Sequence, residues 1–128
     1  MDALRRALGG LLALYALVFL SFALLHAGIA FGPVREPVIV PAAVVETLCA
    51  VATAAGAYGA LAGRAWAWDG VIYAHAAALG GVLMGILALA FGDSGGAASA
   101  LLNWYHSTMA VVLAAGLIGA FYVSRVRR

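Results

Sequence analysis

The chain has 128 residues, 66% of them hydrophobic and only 9% charged, with a net charge of +2. A soluble domain carries roughly 25% charged residues, so a disordered tail, a water-soluble enzyme and a disulfide scaffold are excluded together. Cys49, the one cysteine, lies inside an apolar run, which removes a Cys-based zinc site as well. All seven cationic side chains are Arg at the ends of apolar runs, a pattern of membrane topology and not of nucleic-acid binding. The composition is that of an integral membrane protein.

A helix needs about 20 apolar residues to cross the hydrocarbon. Four stretches meet that length: Gly9 to Phe31, Val38 to Leu61, Val71 to Phe91 and Ala100 to Val123. The breaks between them carry turn chemistry: Gly32-Pro33 and Arg35-Glu36-Pro37, then Gly63-Arg64 and Asp69-Gly70, then Gly92 to Gly96. The first run follows Arg5-Arg6 in the manner of a signal peptide. At 23 residues it is longer than the roughly 7–15-residue signal core, and no Ala-x-Ala site follows it, so it reads as a mature helix. With four spans, Arg5, Arg6, Arg64, Arg125, Arg127 and Arg128 fall on one side of the membrane and Arg35 on the other. That bias places both termini in the cytoplasm. Trp66 and Trp68 then belong to the inner interfacial belt and Trp104 to the outer one.

A shift of 60 residues superposes Ala30-Phe31-Gly32 on Ala90-Phe91-Gly92, and Ala54-Ala55-Gly56 and Gly59-Ala60 on Ala114-Ala115-Gly116 and Gly119-Ala120. The predicted architecture is an all-α four-helix bundle in one transmembrane domain. It consists of two helical hairpins in a parallel repeat about an axis along the membrane normal. Gly56, Gly59, Gly81, Gly85, Gly116 and Gly119 are the candidate helix-packing residues. Small side chains let backbones approach within the bilayer, inside one bundle or across a dimer face.

An ionisable residue within a span is a functional hypothesis by default. His26 lies five residues before the outer end of the first span, Glu46 five residues after Pro41 and His106 five after Leu101, each about 7–8 Å below the outer boundary at the rise of an α-helix. Three titratable groups from three helices thus share one layer, and Glu46 and His106 are equivalent in the repeat. His75 lies four residues into the third span from the inner side and forms a possible second site. An outer His–Glu–His layer suits a divalent metal held by His26, Glu46 and His106, a haem b between the two histidines, or a quinone whose head group and protons the polar groups would handle. The plain structural alternative is a buried Glu–His pair that fixes helix register. Asn103, Cys49 and Thr53 add polar character nearby, and Tyr105 and Trp104 stand where they would wall an aromatic pocket. No nucleotide loop, Ser-His-Asp order or HExxH motif is present, so the chain reads as an accessory and not a hydrolytic enzyme.

The stretch from Pro41 through Glu46, the Gly/Ala-rich remainder of that helix and Arg64 resembles the second helix of DoxX-like membrane proteins. The total length, the four spans and the turn after the first helix are also similar. The resemblance implies a small four-helix protein tied to quinone-linked or redox-stress membrane complexes, with Glu46 as the intramembrane acid. The resulting expectation is a multi-pass subunit of a respiratory or redox system in the bacterial inner membrane, with membrane-protein partners or a homo-oligomeric state. Its alternatives are a purely structural packing subunit and a small proton-coupled transporter using Glu46.

Overall fold

The computed structural model describes residues 2–91 and 100–126. It contains four α-helices, α1 (Asp2–His26), α2 (Val40–Leu61), α3 (Ala67–Phe91) and α4 (Ala100–Val126), each long and apolar enough to cross a membrane. Among the described residues the one β feature is an isolated bridge between Phe31 and Val34. The chain is therefore an all-helical, multi-pass membrane protein. Each helix packs chiefly on its neighbour in sequence, and α1 also meets α3 over a short stretch.

The first span differs most from the range 9–31 read from the sequence. It begins seven residues earlier, because Ala3, Leu4, Arg5 and Arg6 are all strong helix formers and carry the helix beyond the apolar run. It also ends five residues earlier, at His26. Gly28 adopts φ +92°, its amide donates to Leu25 O, and the Ile29 amide donates to Leu24 O. These two bonds with a left-handed glycine between them close the helix in a Schellman motif. Residues 29–31 remain apolar but are no longer helical. Phe31 and Val34 then exchange backbone hydrogen bonds at 3.1 Å across Gly32-Pro33, with Gly32 at φ +59° supplying the positive φ that such a tight turn needs first.

The other boundaries move less. Val40 opens α2, two residues later than expected, with Pro41 in the first turn where its missing amide costs nothing. Its far end closes like α1, with Gly63 at φ +65° and the Arg64 amide on Gly59 O. Ala67, not Val71, begins α3, and Asp69 in its first turn complements the helix dipole. Val126, beyond Val123, ends α4, and Arg125 lies in its last turn. The expected turn from Gly92 to Gly96, and Arg127 and Arg128, lie outside the described residues.

Successive helices run antiparallel, as their contacts show. His26 meets Glu46 at one end of α1 and α2, and Arg5 donates to Ala60 O at the other. Glycine notches fix the register of the remaining pairs. A Cβ at Gly56 would come within 2.7 Å of Ala74 Cβ, and one at Gly81 would overlap Cys49 Sγ. Between α3 and α4, a Cβ at Gly116 would overlap the His75 ring and one at Gly85 the His106 ring. Gly59 faces the Trp66 indole, whereas Gly119 has nothing within 4 Å. Of the six candidate packing glycines, five are thus occupied by side chains of this same chain. In lipid, close approach of this kind does much of what hydrophobic burial does in water.

Candidate ligand cavity beside Glu46 and His106

His26 is the last helical residue of α1, yet it is 2% exposed. The chain folds back over it after the Gly28 turn, and the Ile39 amide donates to the His26 carbonyl at 2.9 Å. That return brings α2 alongside, and the His26 Nδ1–H donates to Glu46 Oε2 at 2.8 Å. Glu46 lies six residues into α2, about 9 Å along its axis, and leads a buried stripe with Cys49, Thr53 and Gly56. The Thr53 hydroxyl turns back onto Cys49 O at 2.7 Å, so it is satisfied within its own helix.

The second carboxylate oxygen, Glu46 Oε1, is buried and has no hydrogen-bond partner among the described residues. Glu46 also lines a cavity of about 180 Å³ with Ile39, Pro41, Val45, Met84 and His106. Gly81 and Gly85 form its α3 wall, and their missing side chains provide the room. His106 and Glu46, matched by the 60-residue shift, therefore face one space. The His106 ring is pinned: its Nδ1 is 2.8 Å from Leu102 O. A carbonyl only accepts, so Nδ1 carries a proton and donates it to the helix backbone.

Behind this cavity Tyr105 closes the bundle. It is 6% exposed and stacks on Phe22 of α1 with ring centroids 3.6 Å apart and planes at 10°. Its own neighbour His106 lies edge-on at 4.8 Å. The Tyr105 hydroxyl and Glu46 are hydrogen-bonding neighbours, although neither that hydroxyl nor Oε1 has a partner of standard geometry among the described residues. Trp104 is 75% exposed and turns outward, and neither it nor Tyr105 lines the cavity. Asn103 also faces out, into a wider and shallow groove with Trp104, Ser107, Thr108 and Val111. Every residue of that groove belongs to α4.

The three layer residues do not converge on one point. Among the described residues no three His, Cys, Asp or Glu side chains gather as a metal ion requires. His26 spends Nδ1 on Glu46, and His106 spends Nδ1 on its own helix. The result is an ion-pair partner on one side of Glu46 and a cavity on the other.

His75 corrects an expectation of depth. Because α3 starts at Ala67, His75 lies eight residues in, about 12 Å along the axis, and its exposure is 0%. Its Nδ1 donates to Val71 O at 2.8 Å, Tyr15 stands edge-on at 6.0 Å, and Nε2 is buried without a partner. It is a packed core residue.

The sequence pointed to Glu46 and both outer histidines, but not to the residues that shape the space between them. Gly81 and Gly85 were read as packing positions; the same small side chains also open the wall. Ile39, Pro41 and Met84 carry no chemical signal in the sequence. No known family model, curated protein or solved structure matches this chain.

Proposed function

We propose that the protein is a small subunit of a membrane redox system and that its outer cavity receives a quinone-class ring from the lipid. The supporting observation is the composition of the cavity: apolar walls with two polar side chains, Glu46 and His106. Its size fits one ring, since an apolar cavity of roughly 150 Å³ holds a benzene; a haem macrocycle is several times larger. Met84 and Ala88 are exposed on the α3 side of the opening, so a lipid-dissolved ring enters sideways between α2 and α3. His26 orients the Glu46 carboxylate toward the ring and stands ready to share its proton.

The same reading sets the protein in the bacterial inner membrane with both termini cytoplasmic, supported by six Arg on the inner side against Arg35 on the outer. It also takes the hairpins α1–α2 and α3–α4 as a parallel repeat, supported by the shared cavity of Glu46 and His106. A membrane partner or second copy would meet α4, where Gly119 is bare and Val111, Ile118 and Tyr122 are exposed. The DoxX-like resemblance implies a small four-helix protein of redox membrane complexes with Glu46 as its intramembrane acid.

The test is a redox difference spectrum of the detergent-purified protein, with metal and extracted quinone quantified on the same sample. Co-purified quinone that is lost in Glu46→Leu supports the proposal. A Soret band or stoichiometric metal replaces it with a haem or metal site, and a sample free of all three leaves a structural packing subunit.

A further inference from the structure

The His106 imidazole reaches from its own helix to the next. Its Nδ1–H is tied to the Leu102 carbonyl of α4, and its Nε2–Cδ2 edge occupies the place where a Cβ at Gly85 of α3 would stand. A second cavity, of about 190 Å³, borders the same imidazole, with Ile86, Leu89 and Ala90 of α3 and Asn103 and Ser107 of α4 as its other walls. The two cavities lie on opposite sides of Gly85. At about 100° per residue around the α3 axis, Gly81, Met84 and Ala88 of the first fall within about 100° of Gly85 on one side. Ile86, Leu89 and Ala90 of the second fall within about 140° on the other. His106 belongs to both linings and stands on that dividing line.

We infer that the His106 imidazole is the partition that limits the cavity to a single ring and excludes a fused two-ring quinone. This rests on the reading of the cavity as a quinone site and adds the size of ring it takes. The mouth of the cavity lies beside the exposed Met84 and Ala88, and an alkyl chain anchoring the ring in lipid leaves by that mouth. A fused second ring is then directed at the closed end, where the imidazole stands. Held by Leu102 on one side and abutting α3 on the other, the imidazole yields only by giving up its hydrogen bond or by crowding its neighbours, a cost of about 1–3 kcal/mol in a packed interior. The space beyond it is suited to a second ring, since Ile86 and Leu89 are apolar. Gly85 makes the division depend on this one side chain, because it has none of its own to close the gap.

The full chain in lipid nanodiscs is loaded at equal mole fraction with decyl-dimethylbenzoquinone or decyl-methylnaphthoquinone, which carry the same chain on one ring or two. The rise in thermal unfolding midpoint over the quinone-free sample reports binding, each variant serving as its own reference. The benzoquinone should raise the midpoint of the wild-type protein by about 3 °C or more, and the naphthoquinone should leave it unchanged. His106→Ala and His106→Ser should each gain a rise with the naphthoquinone, a gain of binding that a weakened fold does not produce. Gly85→Val/His106→Ala refills the gap from the other helix and should lose that gain. Equal rises in the wild-type protein, no gain in either His106 variant, or a gain that persists in the double variant overturns the partition while a single-ring site stands. A wild-type protein stabilised by neither compound overturns both this inference and the ring site itself.

Discussion

His75 and His106 are held by the same local device and end in opposite situations. Each donates Nδ1–H to the carbonyl four residues before it, and each lays its ring on a glycine of the facing helix, Gly116 for His75 and Gly85 for His106. The two contacts are ten residues apart on both α3 and α4, so one antiparallel register creates both. Yet His75 is sealed between Tyr15 and α4 at 0% exposure, whereas His106, at 8%, borders a cavity that also holds a carboxylate. The histidine alone does not make a site. What separates the two is a missing wall, left by Gly81 and Gly85, and a second polar group, Glu46, brought alongside by the return of the chain after Gly28.

The largest effect that sharpens this comparison lies in the pair that His75 lacks. His26→Leu leaves the Glu46 carboxylate buried without its donor, a loss of about 3–5 kcal/mol for a broken buried pair. The double variant His26→Leu/Glu46→Leu should recover most of it. Unfolding in mixed SDS micelles measures both, and a double variant no more stable than the single one would contradict the pairing.

Next come the glycine notches, which should behave alike at the two levels. Gly85→Val and Gly116→Val each force a side chain into an imidazole, costing about 1–3 kcal/mol as an overpacked core does. His106→Ala should relieve the first and His75→Ala the second, and exchanging the partners should relieve neither. This crossed pattern, read from the same unfolding assay, tests the register directly. If every histidine variant rescued every valine, the assigned contacts would be wrong.

Access is the point at which the two histidines should part. A small membrane-permeant imidazole reagent, followed by mass spectrometry, should modify His106 well before His75, because only the first borders a cavity. The smallest effect concerns the glycine left out of the bundle. Gly119→Ala meets nothing within 4 Å and should stabilise the isolated chain by about 0.5–1 kcal/mol, the usual gain over glycine within a helix. A loss in the native membrane together with a gain in detergent would place a partner on that face.

Much of this arrangement was legible in the residues, and the exceptions have physical causes. Four spans follow from composition because lipid demands long apolar helices. His26, Glu46 and His106 stand out by counting residues inward from the span ends, and His26 and Glu46 meet in a hydrogen bond. The first helix stops at His26, although the apolar segment 27–31 continues past the stop without being helical. Hydropathy alone cannot separate those two states; Gly28 was the available signal, and it lay within an apolar run. His75 shows the converse: α3 begins among Trp66, Trp68 and Asp69, ahead of the apolar run, so His75 stands eight residues from the helix start. The cavity itself was not legible, since it consists of what Gly81 and Gly85 omit and of how Pro41 and Met84 face one another across two helices.

The account turns on whether the cavity beside His106 takes a quinone-class ring while His75 remains closed. The most direct measurement is ¹⁵N NMR of imidazole-labelled protein in nanodiscs, before and after addition of trimethylbenzoquinone. The His106 ring resonances should move as the cavity beside them fills, with His75 unchanged. A shift at His75 with His106 unchanged, or no shift at either, would contradict it.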